Sequence, residues 1–225
     1  MGARPKLLDL FCGAGGAAAG YVRAGFDVVG VDINPQPRYP FEFIQADAMT
    51  YPLDGFDAIH ASPPCQAFSA ASNFGKVRER HADLLTPMRT RLIEWCGLPS
   101  WDKPWVIENV IGAPLRGVTL CGSMFSLGVL RHRRFESNLM ILQPEHQKHV
   151  GGTTPLRHRR AHRAGEYLTV TSHFAQPLAQ VQMAMDIDWM NHAEIAQAIP
   201  PAYTEFIGAQ LIRAVTQPSA ERQSA

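Results

Sequence analysis

Cys65 follows two consecutive prolines in the stretch HASPPCQAFSAAS, residues 60 to 72, at the end of an apolar run. Proline fixes φ near −65° and pushes the residue before it toward extended geometry, so a Pro-Pro pair aims the next side chain in one direction. A thiol held in this way suits nucleophilic attack. A carboxylate, Glu108, ends another apolar run, WVIENV, with Asn109 beside it. Upstream, Gly13, Gly15 and Gly16 form a G-x-G-G turn after KLLDLF, and Asp32 closes the next apolar run. Glycines let a backbone approach a ligand closely, and an aspartate at that place can accept hydrogen bonds from ribose hydroxyls, which is the logic of a nucleotide site. The full G-x-G-x-x-G pattern is missing, and a tight turn of small residues reads equally well.

These residues need a scaffold that brings them together. KLLDLF, DVVGVDIN, FEFIQADA and FDAIHA read as short buried strands, the first leading through its glycines into a helix over AAAGYVRAGF. Strands alternating with helices or loops predict an α/β fold with a parallel sheet and right-handed crossovers. Ligands of such sheets sit beyond the carboxyl ends of the strands, where Gly13, Asp32, Asp47, Cys65 and Glu108 all fall. TPMRTRLIEWC predicts a helix with Thr86 as N-cap, Pro87 in the first turn, and Met88, Leu92 and Trp95 on its apolar face. Tyr203, Phe206, Ile207 and Leu211 give a final helix that seals the sheet. Trp189 and Met190 are expected to pack as a core plug.

The 225 residues, 46% hydrophobic, suffice for one core with a small appendage. The start MGARPKLLDLF has no signal-peptide core, and no run approaches the roughly 18 apolar residues of a membrane span, so the expectation is a cytoplasmic protein without a membrane partner. Cys12, Cys65, Cys96 and Cys121 are scattered without a CxxC pair, which favours free thiols over disulfides or a four-cysteine zinc site. The formal net charge of +1 hides an asymmetry: eight Lys or Arg stand against Glu136 and Glu145 between Arg131 and Arg163. Such a cluster is either a solvated face or a seat for a polyanion.

The ordered set DLFCGAGG, Asp32, Asp47, SPPCQAFS, ENV and RHRRF resembles the cytosine-C5 methyltransferases, which move a methyl group from S-adenosylmethionine to carbon 5 of cytosine. The agreement runs from about residue 6 to 135, and QAIPPAYTEFIGAQL is similar to the family's last motif. The resemblance implies a Rossmann-like parallel sheet of the S-adenosylmethionine-dependent methyltransferase type. It implies Cys65 as nucleophile toward C6, Glu108 as the acid at N3, and Arg131 and Arg133 as arginines near base, cysteine or phosphate; Arg134 would be a surface charge. For the cofactor it implies Phe11, Gly13, Gly15, Gly16, Asp32 at the ribose, Ile33, Asp47 at the adenine, Ala48, Pro63 and Gln197. For the substrate it implies Gln66, Ser69 and Asn109, the last also helping to hold the loop, with Arg157, Arg159 and Arg160 in a phosphate-contacting basic loop. Cys12 lies where the family accepts small residues, and packing is its expected role.

The chain also departs from the family. Ala196 and Gln197 stand where the last motif usually has Gly and Asn, and only about sixty residues separate Arg134 from Ala193, where a larger target-recognition domain is usual. The expected organisation is a catalytic domain over 1–135 and 191–215, a reduced recognition subdomain over 136–190 including strands such as EYLTVTSHF, and a disordered tail over 216–225. His146, His149, His158 and His162 show H-x2-H and H-x3-H spacing, but that segment holds no thiolate and its arginines would repel a cation, so no metal is expected. The resulting expectation is a monomeric DNA cytosine-C5 methyltransferase of the compact kind found in phage and prokaryotic genomes, as in restriction-modification, acting on duplex or single-stranded DNA. RNA or a free cytidine nucleotide is the alternative substrate, and a non-catalytic cofactor-dependent binding module the alternative class.

Overall fold

The computed structural model describes residues 3–68, 82–97, 103–146, 148–153, 165–171 and 176–216. β1 (Lys6–Leu10), β2 (Asp27–Asp32), β3 (Glu42–Gln45), β4 (Ala58–Ala61) and β5 (Trp105–Asn109) are joined in parallel, and β6 (Val118–Leu120) and β7 (Arg133–Ser137) add an antiparallel pair. The seven strands lie in the order β3-β2-β1-β4-β5-β7-β6. The sheet is therefore mixed where a parallel one was expected.

Both faces of the sheet are covered, so its strands read as continuous apolar runs instead of alternating ones. On one face Leu7, Ala58 and Val106 meet Tyr21 and Phe26, reached through α1 (Gly16–Ala24), and Tyr203, Ile207 and Leu211 of α5 (Pro201–Thr216). On the other, Leu8, Leu10, Ile59 and Ile107 meet Leu85, Met88 and Leu92 of α2 (Leu85–Cys96). α1 and α5 pack closely because Gly20 has no side chain: a Cβ there would lie 2.1 Å from both the Pro201 carbonyl and Thr204 Oγ1. The Thr204 hydroxyl uses that proximity to donate to the Ala17 carbonyl at 2.8 Å.

The start of α2 differs from its expected cap. Asp83, not Thr86, accepts at Oδ1 from the backbone N–H groups of Leu85 (2.9 Å) and Thr86 (3.2 Å), while the Thr86 hydroxyl donates to Asp83 Oδ2 at 2.7 Å. An ionised carboxylate satisfies more of the free helix-end donors than a hydroxyl can.

A third cluster lies behind the glycine turn. Ala14, Val129 and Leu168 pack with Val181 and Met185 of α3 (Leu178–Met185), with Met190, and with Ile195 of α4 (His192–Gln197). Trp189 donates its indole N–H to the Ala14 carbonyl at 2.8 Å, so the expected plug sits directly against that turn. Among the described residues, Tyr167 and Leu168 form only isolated bridges with Thr153 and Val129 in place of the strand read in EYLTVTSHF. The sheet reaches Ser137, two residues beyond the expected boundary, and α5 includes Thr216; the rest of the expected tail lies outside the described residues.

Candidate active site

In the order β3-β2-β1-β4-β5 the chain leaves β1 toward one side of the sheet and arrives at β4 on the other, so a crevice opens between the two carboxyl ends. A cavity of about 350 Å³ fills it. The turn after β1 forms one end, and Ser62 to Gln66 after β4 form the other.

Cys65 begins a 3-10 turn, Cys65–Ala67, immediately after Pro64, whose φ of −49° and ψ of 127° are the extended geometry that proline favours. Two anchors fix the approach to that turn. Asn109 Nδ2 donates to the Pro63 carbonyl at 2.8 Å, and Ser62 N–H donates to the Leu10 carbonyl at 3.0 Å. Beneath them, the buried His60 contacts the Ser62 hydroxyl through Nε2 (2.8 Å) and the Tyr21 hydroxyl through Nδ1 (2.9 Å). Burial lowers the His60 pKa to about 3, so this imidazole is a neutral strut.

Glu108, at the end of β5, is 6% exposed and lines the cavity with Cys65. Arg133 Nε lies 3.0 Å from Glu108 Oε1. Their alignment does not make a hydrogen bond, however, and Oε1 has no hydrogen-bond partner. Burial raises the Glu108 pKa, opposed by Arg133, then Arg131, then a hydrogen bond from Ser62. Burial also raises the Cys65 pKa, opposed chiefly by Arg133. A largely protonated resting thiol therefore replaces the partly ionised one that an exposed cysteine would offer.

At the other end Gly13 has φ of 49° and nothing within 4 Å of a Cβ position, so its backbone is laid open to the cavity. Asp32 holds the turn: Oδ2 accepts from Gly13 N–H at 3.1 Å and Oδ1 from Asn34 N–H at 2.9 Å. Phe11 also has a positive φ, 57°, uncommon for an aromatic residue and typical of strain retained at a site. Ile33 is 64% exposed and contributes an apolar wall next to Asp32.

The cavity thus brings together Cys65, Gln66, Glu108 and Arg133 with Phe11, Gly13, Gly16, Asp32, Ile33, Pro63 and Gln197. Five residues singled out in the sequence do not line it. Arg131 is spent on three carbonyls, donating to Ala198 (2.6 Å), Ala196 (2.7 Å) and Val170 (3.0 Å), and so acts by positioning the chain. Asn109 is 1% exposed; besides holding Pro63, it accepts from Val110 N–H, so of its two expected roles it takes that of holding the loop at the cysteine turn. Gly15 lies under Tyr39, Ala48 is buried in the α2-side core, and the Asp47 carboxylate accepts from Met49 N–H in its own turn. Ser69, Arg157, Arg159 and Arg160 lie outside the described residues. Cys12 is buried and its thiol is pushed upward by burial, in keeping with packing.

Sequence reasoning missed two acids. Asp9 sits inside β1, fully buried, with no hydrogen-bond partner for either carboxylate oxygen, and it lines the cavity. Its one signal is an acid within the run KLLDLF. Burial, then the charge of Asp32, raises its pKa well above the ordinary range. Glu194 lines the same end; N-H-A-E is the capping box it forms with Asn191, at 2.8 and 3.0 Å.

The sequence model of the C-5 cytosine-specific DNA methylases matches residues 5–95. Type II methyltransferase M1.HphI of Haemophilus parahaemolyticus is 34% identical over 122 aligned positions, 46% of this chain and 32% of that protein, so the chain spans about a third of that relative. Two solved structures share the fold at low identity. The Schizosaccharomyces pombe Dnmt2 methyltransferase aligns with a TM-score of 0.64 and 12% identity, over 96% of this chain and 100% of that one. A protein assigned as a DNA modification methyltransferase, encoded within an Escherichia coli prophage, aligns at 0.59 and 14%, over 95% and 100%. By its matched sequence over residues 5–95, and by the place of its cysteine at a strand end, the chain is similar to the C-5 cytosine-specific DNA methylases.

Proposed function

We propose that the chain transfers a methyl group from S-adenosylmethionine to C5 of cytosine in DNA through a covalent Cys65–C6 intermediate. The observation that carries this reading is one cavity with a cysteine, a buried carboxyl and an arginine at one end and a glycine turn at the other. The second end suits the cofactor. The buried carboxyl of Asp9 and the carboxylate of Asp32 on the same cavity favour a cationic ligand, Glu194 being already paired with Arg38 at 2.9 Å, and Gly13 leaves room for close backbone approach. Phe11, Gly13, Asp32, Ile33 and Gln197 would hold the cofactor, which when bound supplies an electrophilic methyl group. Asp47, Ala48 and Gly15 support that end from outside the cavity.

C5 of cytosine is too weak a nucleophile to take the methyl unaided. The S–H proton of Cys65 passes to solvent water and its sulfur bonds to C6 as the C5=C6 pair shifts toward C5, while Glu108, whose carboxyl burial makes easier to protonate, gives its proton to N3. C5 becomes enamine-like and takes the methyl. A base then removes the C5 proton, the C6–S bond breaks with its electron pair returning to sulfur, and N3 returns its proton. Arg133 faces both titrating groups and stabilises each while it is charged. No described helix is long and apolar enough to cross a membrane.

The substrate is taken as DNA because the matched sequence model is named for it. The basic residues between Lys148 and Arg163 would contact phosphates without reading bases. Transfer of label from S-adenosylmethionine to duplex DNA, single-stranded DNA, RNA and dCMP, followed by mass spectrometry of the cytosine, tests this. DNA should carry the label, with activity falling steeply in salt. Salt-independent methylation of dCMP would overturn the nucleic-acid substrate, and labelled RNA alone would overturn DNA.

A further inference from the structure

Outside the cavity four donor atoms converge from three places in the sequence. Cys121 follows β6, His132 precedes β7, and His146 and His149 lie on the segment beyond β7. His149 Nε2 is 3.4 Å from Cys121 Sγ and 3.0 Å from His146 Nε2, and His132 Nε2 is 3.4 Å from His146 Nε2. All four donor atoms lie within 4.8 Å of one another. Hydrogen bonding alone accounts poorly for this arrangement. A neutral imidazole Nε2 is either a donor or an acceptor, so three of them meeting a thiol at one point leave lone pairs facing each other. A divalent cation takes all four lone pairs at once.

We propose that Cys121, His132, His146 and His149 bind one zinc ion. With Zn–N near 2.0 to 2.1 Å and Zn–S near 2.3 Å, a tetrahedron has edges of about 3.3 to 3.6 Å, and the separations of 3.4, 3.4 and 3.0 Å approach these before any ion draws the ligands in. One thiolate with three imidazoles is a soft, nitrogen-rich set suited to zinc, and unsuited to calcium or magnesium, which take oxygen ligands. Four protein ligands close the coordination shell, so the ion is structural and activates no water. Ser123 Oγ, 3.2 Å from Cys121 Sγ, can donate its hydroxyl to the thiolate as an outer-shell support.

The ion's effect follows from His132. That residue stands between Arg131, which ties the chain to α4, and Arg133, which faces Glu108 and Cys65. Holding His132 to Cys121 and to the 146–149 segment fixes the backbone that presents Arg133 to the active site. The sequence argued against a metal because the histidine segment has no thiolate; the fold supplies one from residue 121.

Full-length protein freed of any histidine tag, purified with zinc and dialysed against a competing chelator, should retain about one zinc per chain by mass spectrometry. His146→Ala/His149→Ala, which alters residues outside the core, should weaken zinc binding by at least about 100-fold, more than the loss of an outer-shell partner. With cobalt(II) as probe, the wild type should show the strong visible bands of a four-coordinate ion and a sulfur-to-cobalt charge-transfer band. Cys121→Ser should abolish that band and Cys96→Ser should keep it. Zinc well below one per chain in the wild type, unchanged zinc in the double-histidine variant, or a wild-type cobalt complex without the sulfur band would each overturn the proposal. None of these results bears on Cys65 or Glu108.

Discussion

The two ends of the active-site cavity treat their carboxyl groups in opposite ways. At the Cys65 end, Glu108 is buried beside Arg133, whose charge offsets the cost of ionising both acid and thiol. At the Asp9 end the charges that act on the buried carboxyl are other carboxylates, Asp32 and Glu108, eased only by the backbone of Ala18. The first end can cycle protons because its charges are balanced within the protein. The second carries an acid, Asp9, without a countercharge, which suits the cationic cofactor proposed for it.

The comparison breaks most directly at the cysteine. Cys65→Ser should lose nearly all methyl transfer, because a hydroxyl is a much poorer nucleophile than a thiol that Arg133 can help ionise. Calorimetric binding of S-adenosylmethionine should survive, since the other end is untouched. A loss of both would merge the ends into one structural unit.

Glu108→Gln should slow transfer by roughly 10² to 10⁴, the usual range for a lost general acid. The wild-type rate should fall as pH rises through the elevated Glu108 pKa, because the proton donated to N3 is lost there. The amide of the variant has no such proton to lose, and its residual rate should lack that limb. A variant that keeps the wild-type alkaline limb would show that another group supplies the proton.

At the opposite end, Asp32→Ala should weaken cofactor binding by roughly 10- to 150-fold, the equivalent of about 1.5 to 3 kcal/mol for a charged hydrogen bond. It removes the acceptor for Gly13 and Asn34 as well as that for the ribose. Unchanged calorimetric affinity would move the cofactor elsewhere.

Asp9→Asn should have the smallest effect on the free protein, and its sign is informative. A buried acid with a raised folded pKa contributes stability below its unfolded value near 3.9 and loses it as pH rises toward the folded value. Without cofactor, the melting temperature of the variant should therefore gain on the wild type between pH 5 and pH 8. A constant difference would mean that Asp9 has a partner in solution.

How much of this was legible depended on how local the signal was. The β1 turn and α1 were readable because a strand, glycines and small helix formers follow one another. Cys65 and Glu108 were readable as chemistry because each ends an apolar run at the same edge of the sheet. Asp9 was not, because an acid inside a strand run shows its burial only when both faces of the sheet are covered. The β6–β7 pair escaped because GVTL is short and RRFES is charged. Cys121 and the histidines are joined only by tertiary folding, and no spacing within one segment reveals them. Asn109 was read both as a substrate contact and as a holder of the cysteine loop, and its hydrogen bond to the Pro63 carbonyl gives it the second role; Arg131 was read as near base, cysteine or phosphate, and its hydrogen bonds to carbonyls make it a support.

The central claim is that Cys65 adds to C6 of the target cytosine. A DNA substrate carrying 5-fluorocytosine tests it, because fluorine at C5 cannot leave as a proton and the thioether cannot be eliminated after methyl transfer. With S-adenosylmethionine, the account predicts a covalent protein–DNA complex whose cross-linked peptide contains Cys65, and none with Cys65→Ser. Absence of that complex under conditions where unmodified cytosine is methylated, or a cross-link at another residue, would contradict it.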